Sequence, residues 1–183
     1  MVYLSGLKDG PLRAKEFLQN KGIKLVAVPH FKRTYLDGAA LINKRGEPII
    51  ALSLRYDRLD NFWFTLAHEL AHLALGHVYS VEGQCIIDDL DLIEPQNEIE
   101  NEADKLAKKS LIPSQLWKSH PARNTGKLKD ILDLASKADI HKSIVAGRIR
   151  YERNNYRILW PHVGSGMVRK LFNIQSDYWV YWA

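Results

Sequence analysis

Residues 61–77 read NFWFTLAHELAHLALGH, and their composition indicates a buried helix. Within 66–75 the only polar side chains are His68, Glu69 and His72, and every other residue is Leu or Ala. A helix that is apolar almost all round lies inside a protein rather than on its surface. Burial of one carboxylate and two imidazoles costs several kcal/mol unless a partner satisfies them. A bound metal ion would be such a partner.

The spacing of these three residues also favours a metal site. His68 and His72 are four residues apart, so a helix places them one above the other on the same face. Two imidazole nitrogens placed in this way can bind one tetrahedral Zn²⁺. Glu69 lies about 100° round the helix from His68, which suits contact with a metal-held water better than metal ligation. This is the His-Glu-x-x-His pattern of zinc hydrolases. The alternative, a core helix with two satisfied histidines, leaves the burial of Glu69 unexplained.

A catalytic zinc site needs a third protein ligand, and His77 is a poor candidate for it. His77 follows His72 by five residues, which on a helix turns its side chain about 140° away. The second important helix that the sequence predicts offers four carboxylates instead, namely Glu98, Glu100, Glu102 and Asp104.

Helical projection separates these four carboxylates. Measured from the centre of the apolar stripe, Glu100 lies at about 60° and Glu98 at about 140°. Glu102 and Asp104 both lie at about 100°. We therefore expect Glu100 to face the core and Asp104 to accept the second N–H of a ligating histidine. The alternative, an exposed acidic helix start favoured by the macrodipole, explains Glu98 well and Glu102 adequately but Glu100 poorly.

The composition of the chain is that of a globular protein. Its 183 residues suffice for one domain with a core, and its contents of 46% hydrophobic and 26% charged residues are ordinary. One cysteine, Cys85, excludes an internal disulfide framework and a cysteine-rich zinc site. The net charge of +5 permits contact with nucleic acid but does not predict it, because such binding needs a clustered basic face. We do not expect this chain alone to bind nucleic acid.

The sequence also bears on location. The first residues, MVYLSGLKDG, lack the charged and then apolar layout of a signal peptide. No apolar run reaches the roughly 18 residues that a membrane-spanning helix needs. We expect a reducing, cytoplasmic location and no membrane partner, and the sequence leaves the oligomeric state open.

Hydrophobic periodicity and turn residues predict the order of elements. Before the motif helix we expect a helix over 10–22 and strands over 24–28, 37–42 and 48–54, the last two joined by a hairpin turn at 43–46. Asp57 and Asp60 are candidate N-caps of the motif helix. Residues 79–95 have the acidic, irregular pattern of a loop. Further helices are expected over 97–111, 114–117, 127–138 and 143–153.

These elements predict an α+β fold. A small antiparallel sheet would pack on a mostly helical domain that contains the buried His-Glu-x-x-His helix. Residues 1–155 would form this metallopeptidase-like domain. Residues 156–183 would form an aromatic C-terminal extension that packs on the core or on a partner, because an exposed run such as YWVYW at 178–182 would be unusual in water.

Several stretches together resemble the ImmA/IrrE metallopeptidases. They are residues 61–72, the motif Glu100-Asn-Glu-Ala-Asp104, and the helix end LIP at 111–113. The spacing of Glu100 and Asp104 is also similar to the third-ligand motif of gluzincins. Residues 52–60 (LSLRYDRLD) and 144–151 (IVAGRIRY) resemble the branch found behind phage-repressor-type helix-turn-helix domains.

The resemblance implies a function and a set of site residues. It implies a cytoplasmic, bacterial or phage-borne zinc endopeptidase that cleaves a specific protein, such as a DNA-binding repressor or an antitoxin, and so regulates transcription. His68, His72 and Glu100 would be the zinc ligands and Glu69 the general base. Only about ten residues precede the first predicted helix, so we do not expect the helix-turn-helix of that branch within this chain.

The sequence also leaves two other hypotheses for the function open. One is a non-proteolytic regulatory or antitoxin-like binding module that retains a zinc site and uses the aromatic C-terminus and the basic residues 148–157 as its surface. Another is a structural zinc site with His77 as its fourth ligand. The presence of Glu69 favours the enzyme, because a binding module does not need a general base. The enzyme also needs an oxyanion-stabilising donor, for which the candidates are Tyr56, His141, Arg148 and Tyr151.

Overall fold

A computed structural model describes residues 1–30, 36–80, 85–87 and 96–174 of the chain. The strands are β1 (Lys24–Ala27), β2 (Gly38–Ile42), β3 (Pro48–Leu52) and β4 (Cys85–Ile87). The helices are α1 (Gly10–Gln19), α2 (Leu59–Ala74), α3 (His77–Ser80), α4 (Gln96–Leu111), α5 (Ser114–Ser119), α6 (Ala122–Thr125), α7 (Leu128–Lys137) and α8 (Lys142–Glu152). Short 3-10 helices lie at Val2–Gly6 and Trp160–His162. The predicted α+β fold is confirmed.

The four strands form one mixed sheet in the order β1-β3-β2-β4. The predicted hairpin is confirmed, because β2 runs antiparallel to β3 and Asn43 Oδ1 accepts the N–H groups of Arg45 and Glu47 in the turn. The expectation of a wholly antiparallel sheet was wrong, because β1 lies parallel to β3, with Leu25 opposite Ile50. A short apolar run identifies a strand but does not specify its neighbour, which depends on pairing with distant residues.

The prediction of an irregular loop over 79–95 was wrong in part. Tyr79 lies inside α3. Strand β4 pairs antiparallel with β2, with Ala39 opposite Ile87. A three-residue strand is too short to show a period in the sequence. The remaining parts of this loop prediction, residues 81–84 and 88–95, lie outside the described residues.

Helix α2 is the central element of the core, as its composition predicted. It contacts β2, β3, α4 and α8. Phe62, Trp63 and Leu66 are at most 1% exposed and pack in one cluster with apolar residues of the sheet and of α7 and α8. Each fully buried side chain of this size contributes about 1.5–3 kcal/mol to folding, so the core fixes α2 firmly. Within the described part of the chain, no helix is both long and apolar enough to cross a membrane.

The N-terminus of α2 is capped by distant backbone, and the prediction of Asp57 and Asp60 as caps was wrong. The N–H groups of Leu59 and Asp60 donate to the carbonyl oxygens of Gly164 and Val163, at 3.2 and 3.3 Å. The first N–H groups of a helix have no partner within it, and here a segment far along the chain supplies the acceptors.

Asp57 instead holds the segment that follows α8. Its Oδ1 accepts the N–H groups of Val168 and Arg169 at 2.8 and 2.9 Å, and Val168 is fully buried. Residues of the described segment 156–174 therefore pack on the core. The domain boundary after residue 155 stays a prediction, and the aromatic run at 178–182 lies outside the described residues.

Candidate metal centre

Two helices bring three potential ligand atoms together. α2 supplies His68 and His72, and α4 supplies Glu100. His68 Nε2 lies 3.0 Å from His72 Nε2 and 3.0 Å from Glu100 Oε2, and His72 Nε2 lies 3.5 Å from the same oxygen. This is the only group of its kind among the described residues. The packing of α4 on α2 creates it, and the fully buried Ala103 and Ala107 keep that packing close.

The centre is largely shielded from water. His72 is fully buried, His68 is 6% exposed, and the Glu100 side chain is 29% exposed. A partly open carboxylate beside two buried imidazoles leaves one side of the group accessible. Such a donor set, two nitrogens and one oxygen, is compatible with a metal ion.

Asp104 orients the His68 ring from its outer edge. His68 Nδ1 lies 3.1 Å from Asp104 Oδ1. A carboxylate only accepts hydrogen bonds, so a neutral His68 ring carries its proton on Nδ1 and directs the lone pair of Nε2 into the centre. The other oxygen of Asp104 accepts from Lys108 Nζ at 2.6 Å and from the Tyr151 hydroxyl at 3.3 Å.

The electrostatics of the centre favour ionised carboxylates. Burial alone would raise the pKa of Glu100, but with the rings of His68 and His72 protonated and no metal ion between them, the hydrogen bonds from these rings and their charge lower the pKa of Glu100 to about 2. Burial would likewise raise the pKa of Asp104, and the hydrogen bonds from His68 and Lys108 outweigh it and lower that pKa. Both side chains are therefore anionic at neutral pH and attract a cation.

Glu69 lies beside the centre and faces the start of β2. Its side chain is fully buried. A methyl group added to Gly38 would overlap Glu69 Oε1 and would lie 2.9 Å from Glu69 Cδ and 2.7 Å from Thr65 Cγ2. The first residue of β2 therefore forms a wall against the carboxylate of Glu69.

The described geometry argues against His77 as a fourth ligand. His77 Nδ1 lies 3.1 Å from His72 Nδ1, which is on the outer edge of the His72 ring, and His77 Nε2 lies 3.2 Å from Glu102 Oε2. His77 thus contacts the nitrogen of His72 that faces away from Glu100. Glu98, by contrast, is exposed, as the helix-start alternative expected.

The candidate oxyanion donors occupy different places. His141 caps α8 by accepting the N–H of Ser143, and Arg148 pairs with Glu152 at 2.8 Å. Tyr56 is 41% exposed. Tyr151 comes nearest the centre, but its hydroxyl lies against Asp104 Oδ2, on the outer side of His68. These contacts make His141, Arg148 and Tyr151 parts of the framework around the site.

Two contacts at the site were not predicted from the sequence. The contact of Gly38 with Glu69 had one signal, since a glycine inside a strand often marks a close approach of another group. The contact of His77 with His72 also had a signal in Gly76, whose φ of +77° ends the helical path. Because His77 lies beyond Gly76, projection along α2 does not predict the direction of its side chain.

A known protein family matches most of the chain. A model of the Peptidase_M78 family, described as the IrrE N-terminal-like domain, matches residues 21–150, which is more than two thirds of the chain. The matched range includes the sheet, α2 and α4. No curated protein sequence matches the chain.

Proposed function

The chain belongs to the IrrE N-terminal-like peptidase family, and on this premise we propose that it is a zinc-dependent endopeptidase that cleaves a specific protein. The observation that carries the proposal is the convergence of His68 Nε2, His72 Nε2 and Glu100 Oε2, all within 4.8 Å of one another. One cation placed between these three groups would satisfy the lone pairs of all of them at once.

The donor set and its spacing suit zinc. Ligand atoms about 2.0–2.1 Å from a tetrahedral zinc ion lie roughly 3.3 Å from one another. The separations of 3.0, 3.0 and 3.5 Å are close to that value. Three protein ligands are the number typical of catalytic rather than structural zinc sites. His68, His72 and Glu100 would hold the ion.

The proposed reaction is hydrolysis of a peptide bond. A zinc ion held by His68, His72 and Glu100 would supply Lewis acidity, which would polarise the peptide carbonyl and lower the pKa of a bound water towards about 7. Glu69 accepts a proton from the attacking water and delivers it to the leaving nitrogen, so that the proton balance closes within one turnover. The wall formed by Gly38 holds the Glu69 carboxylate in place, and Asp104 holds His68. General base catalysis of this kind contributes about 10²–10⁴-fold to the rate.

The substrate we propose is a DNA-binding repressor or an antitoxin, cleaved in the cytoplasm. This part rests on the family alone. Cleavage of a repressor would switch on the genes that it holds down.

The test is incubation of the zinc-loaded protein with candidate repressors and antitoxins in H₂¹⁸O, followed by intact mass measurement. Wild type should give two fragments from one cut, with ¹⁸O in the new carboxyl terminus. Glu69→Gln should bind zinc equally well and cleave at least about 10²-fold more slowly. Glu98→Gln, an exposed carboxylate of α4, serves as the control and should cleave normally.

Two results would contradict the proposal. Cleavage by Glu69→Gln at the wild-type rate would remove Glu69 from the mechanism. A stable complex of wild type with a candidate protein, without cleavage over many hours, would favour the non-proteolytic binding module instead.

A further inference from the structure

We propose that His77 and Glu102 are positioning residues that fix the tautomer and orientation of His72 and thereby strengthen zinc binding. The inference rests on the proposed function, because His72 is a proposed zinc ligand. It concerns two residues that the ligand set itself does not use. Its basis is an ordered chain of contacts, from His72 Nδ1 to His77 Nδ1 at 3.1 Å and from His77 Nε2 to Glu102 Oε2 at 3.2 Å.

The chemistry of these contacts allows one arrangement of protons when both rings are neutral. The carboxylate of Glu102 only accepts, so His77 donates from Nε2. A neutral imidazole has one N–H, so His77 Nδ1 is then an acceptor. His72 must therefore donate from Nδ1, which leaves the lone pair of its Nε2 facing Glu100. This is the tautomer that zinc binding at Nε2 requires.

Local structure explains why His77 reaches His72. Helix α2 ends at Ala74, and Gly76, with a φ of +77°, turns the chain so that α3 begins at His77. A left-handed residue of this kind is the usual end of a helix. On a continued helix His77 would point about 140° away from His72.

The position of His77 is also fixed by packing. The next residue, Val78, is fully buried in a small apolar cluster with Ala40 and Ile42 of β2. His77 itself is 7% exposed, and its ring centroid lies 5.2 Å from that of His72. An imidazole held this firmly can set the orientation of the ring next to it.

The two proposed ligand histidines are therefore supported in different ways. His68 donates directly to Asp104, whereas His72 reaches the carboxylate of Glu102 through a second imidazole. The Glu102 side chain is 61% exposed, so water can partly replace it. We expect loss of His77 to weaken zinc binding more than loss of Glu102.

The experiment compares two substitutions of similar shape at position 77. His77→Asn retains an acceptor for His72 Nδ1–H, and His77→Leu retains only the volume. Zinc dissociation constants are measured by competition with a chelator, alongside Glu102→Ala and the control Glu98→Ala. We expect dissociation constants roughly 10–100-fold higher for His77→Leu, partial recovery for His77→Asn, a smaller rise for Glu102→Ala, and no change for Glu98→Ala.

A second readout separates positioning from a general loss of structure. ¹⁵N spectra of the histidine rings, recorded on the zinc-free protein, should show His72 protonated on Nδ1 and His77 protonated on Nε2. In His77→Leu, His72 should become a mixture of tautomers, while thermal unfolding confirms that the variant is folded.

The outcomes for this proposal and for the proposed function are distinct. Zinc affinity of His77→Leu within about twofold of wild type, or a proton on Nδ1 of His77, would overturn the positioning role while leaving a zinc enzyme. Absence of zinc binding in wild type would overturn the proposed function and, with it, the role of His77 toward zinc.

Discussion

Gly38, the first residue of β2, lies against the carboxylate of Glu69, so close that a side chain of any size at position 38 would overlap it. The strand therefore limits where the proposed general base can be. Glu69 belongs to α2 and Gly38 to the sheet, so the position of the base depends on how the helix packs on the sheet.

Gly38→Ala tests this contact. The added methyl group would meet Glu69 and Thr65, both in the tightly packed interior, and overpacking of this kind typically costs about 1–3 kcal/mol. We expect a lower free energy of unfolding and a large loss of hydrolysis, because Glu69 must move, with zinc binding retained. Chemical denaturation, zinc analysis and the cleavage assay measure the three effects.

Gly6→Ala is the matched control for Gly38→Ala. A methyl group there would meet no atom within 4 Å, so stability and hydrolysis should stay at wild-type levels. Wild-type stability together with wild-type cleavage in Gly38→Ala would show that the position of the Glu69 carboxylate does not depend on its contact with Gly38.

Gly147→Ala tests the packing of α8 on α2. In an exposed helix this change would stabilise by about 1 kcal/mol. Here the added methyl group would lie 2.6 Å from Asp60 Cβ, and Asp60 is buried in a 2.9 Å ion pair with Arg58. We expect a net loss of about 1–3 kcal/mol in the free energy of unfolding, measured in urea. Ser136→Ala, at an exposed position of α7, should leave stability unchanged or slightly higher; a gain in Gly147→Ala as well would contradict the close packing.

Glu152→Gln tests a pH-dependent contribution to stability from a carboxylate that is not a proposed metal ligand. Glu152 accepts hydrogen bonds from Trp117, Arg123 and Arg148, at 2.9, 3.1 and 2.8 Å. Burial alone would raise its pKa, but the hydrogen bond and charge of Arg148, with the other two donors, lower it. A lowered pKa in the folded state stabilises the protein above the unfolded value of about 4.3, and this stabilisation is lost as the pH falls through the folded pKa.

The lowered pKa of Glu152 sets the direction of the expected change in stability. At pH 7 Glu152→Gln should unfold about 1 kcal/mol more easily than wild type, and the difference should shrink as the pH falls below about 4.3. Denaturant unfolding at pH 7 and at a pH below about 4.3 measures this difference in the free energy of unfolding, with Glu16→Gln, at an exposed position, as the control. An equal difference at both pH values would show that the charge of Glu152 is not responsible.

Much of the fold could be predicted from local patterns. The apolar run around His68 specified a buried helix, and the stripe of α4 located that helix to within one residue of Gln96–Leu111. Helical geometry alone put His68 and His72 on one face and Glu100 nearest the core, and the structure brings these three side chains together. Such inferences succeed because they use spacing within one helix.

What could not be predicted depends on contacts between distant parts of the chain. The parallel pairing of β1 with β3, the capping of α2 by Gly164, and the wall that Gly38 forms against Glu69 each join residues separated by long stretches. The contact of His77 with His72 could not be predicted for a local reason instead, because the turn at Gly76 changes the path of the chain.

The central claim is that His68, His72 and Glu100 bind a zinc ion. The most direct test is elemental analysis of the purified protein after dialysis against zinc-containing and then metal-free buffer, for wild type, Glu100→Ala and Glu98→Ala. About one zinc per chain is expected in wild type and in Glu98→Ala, and little in Glu100→Ala. A wild type without zinc, or a Glu100→Ala protein that retains a full equivalent, would contradict the claim.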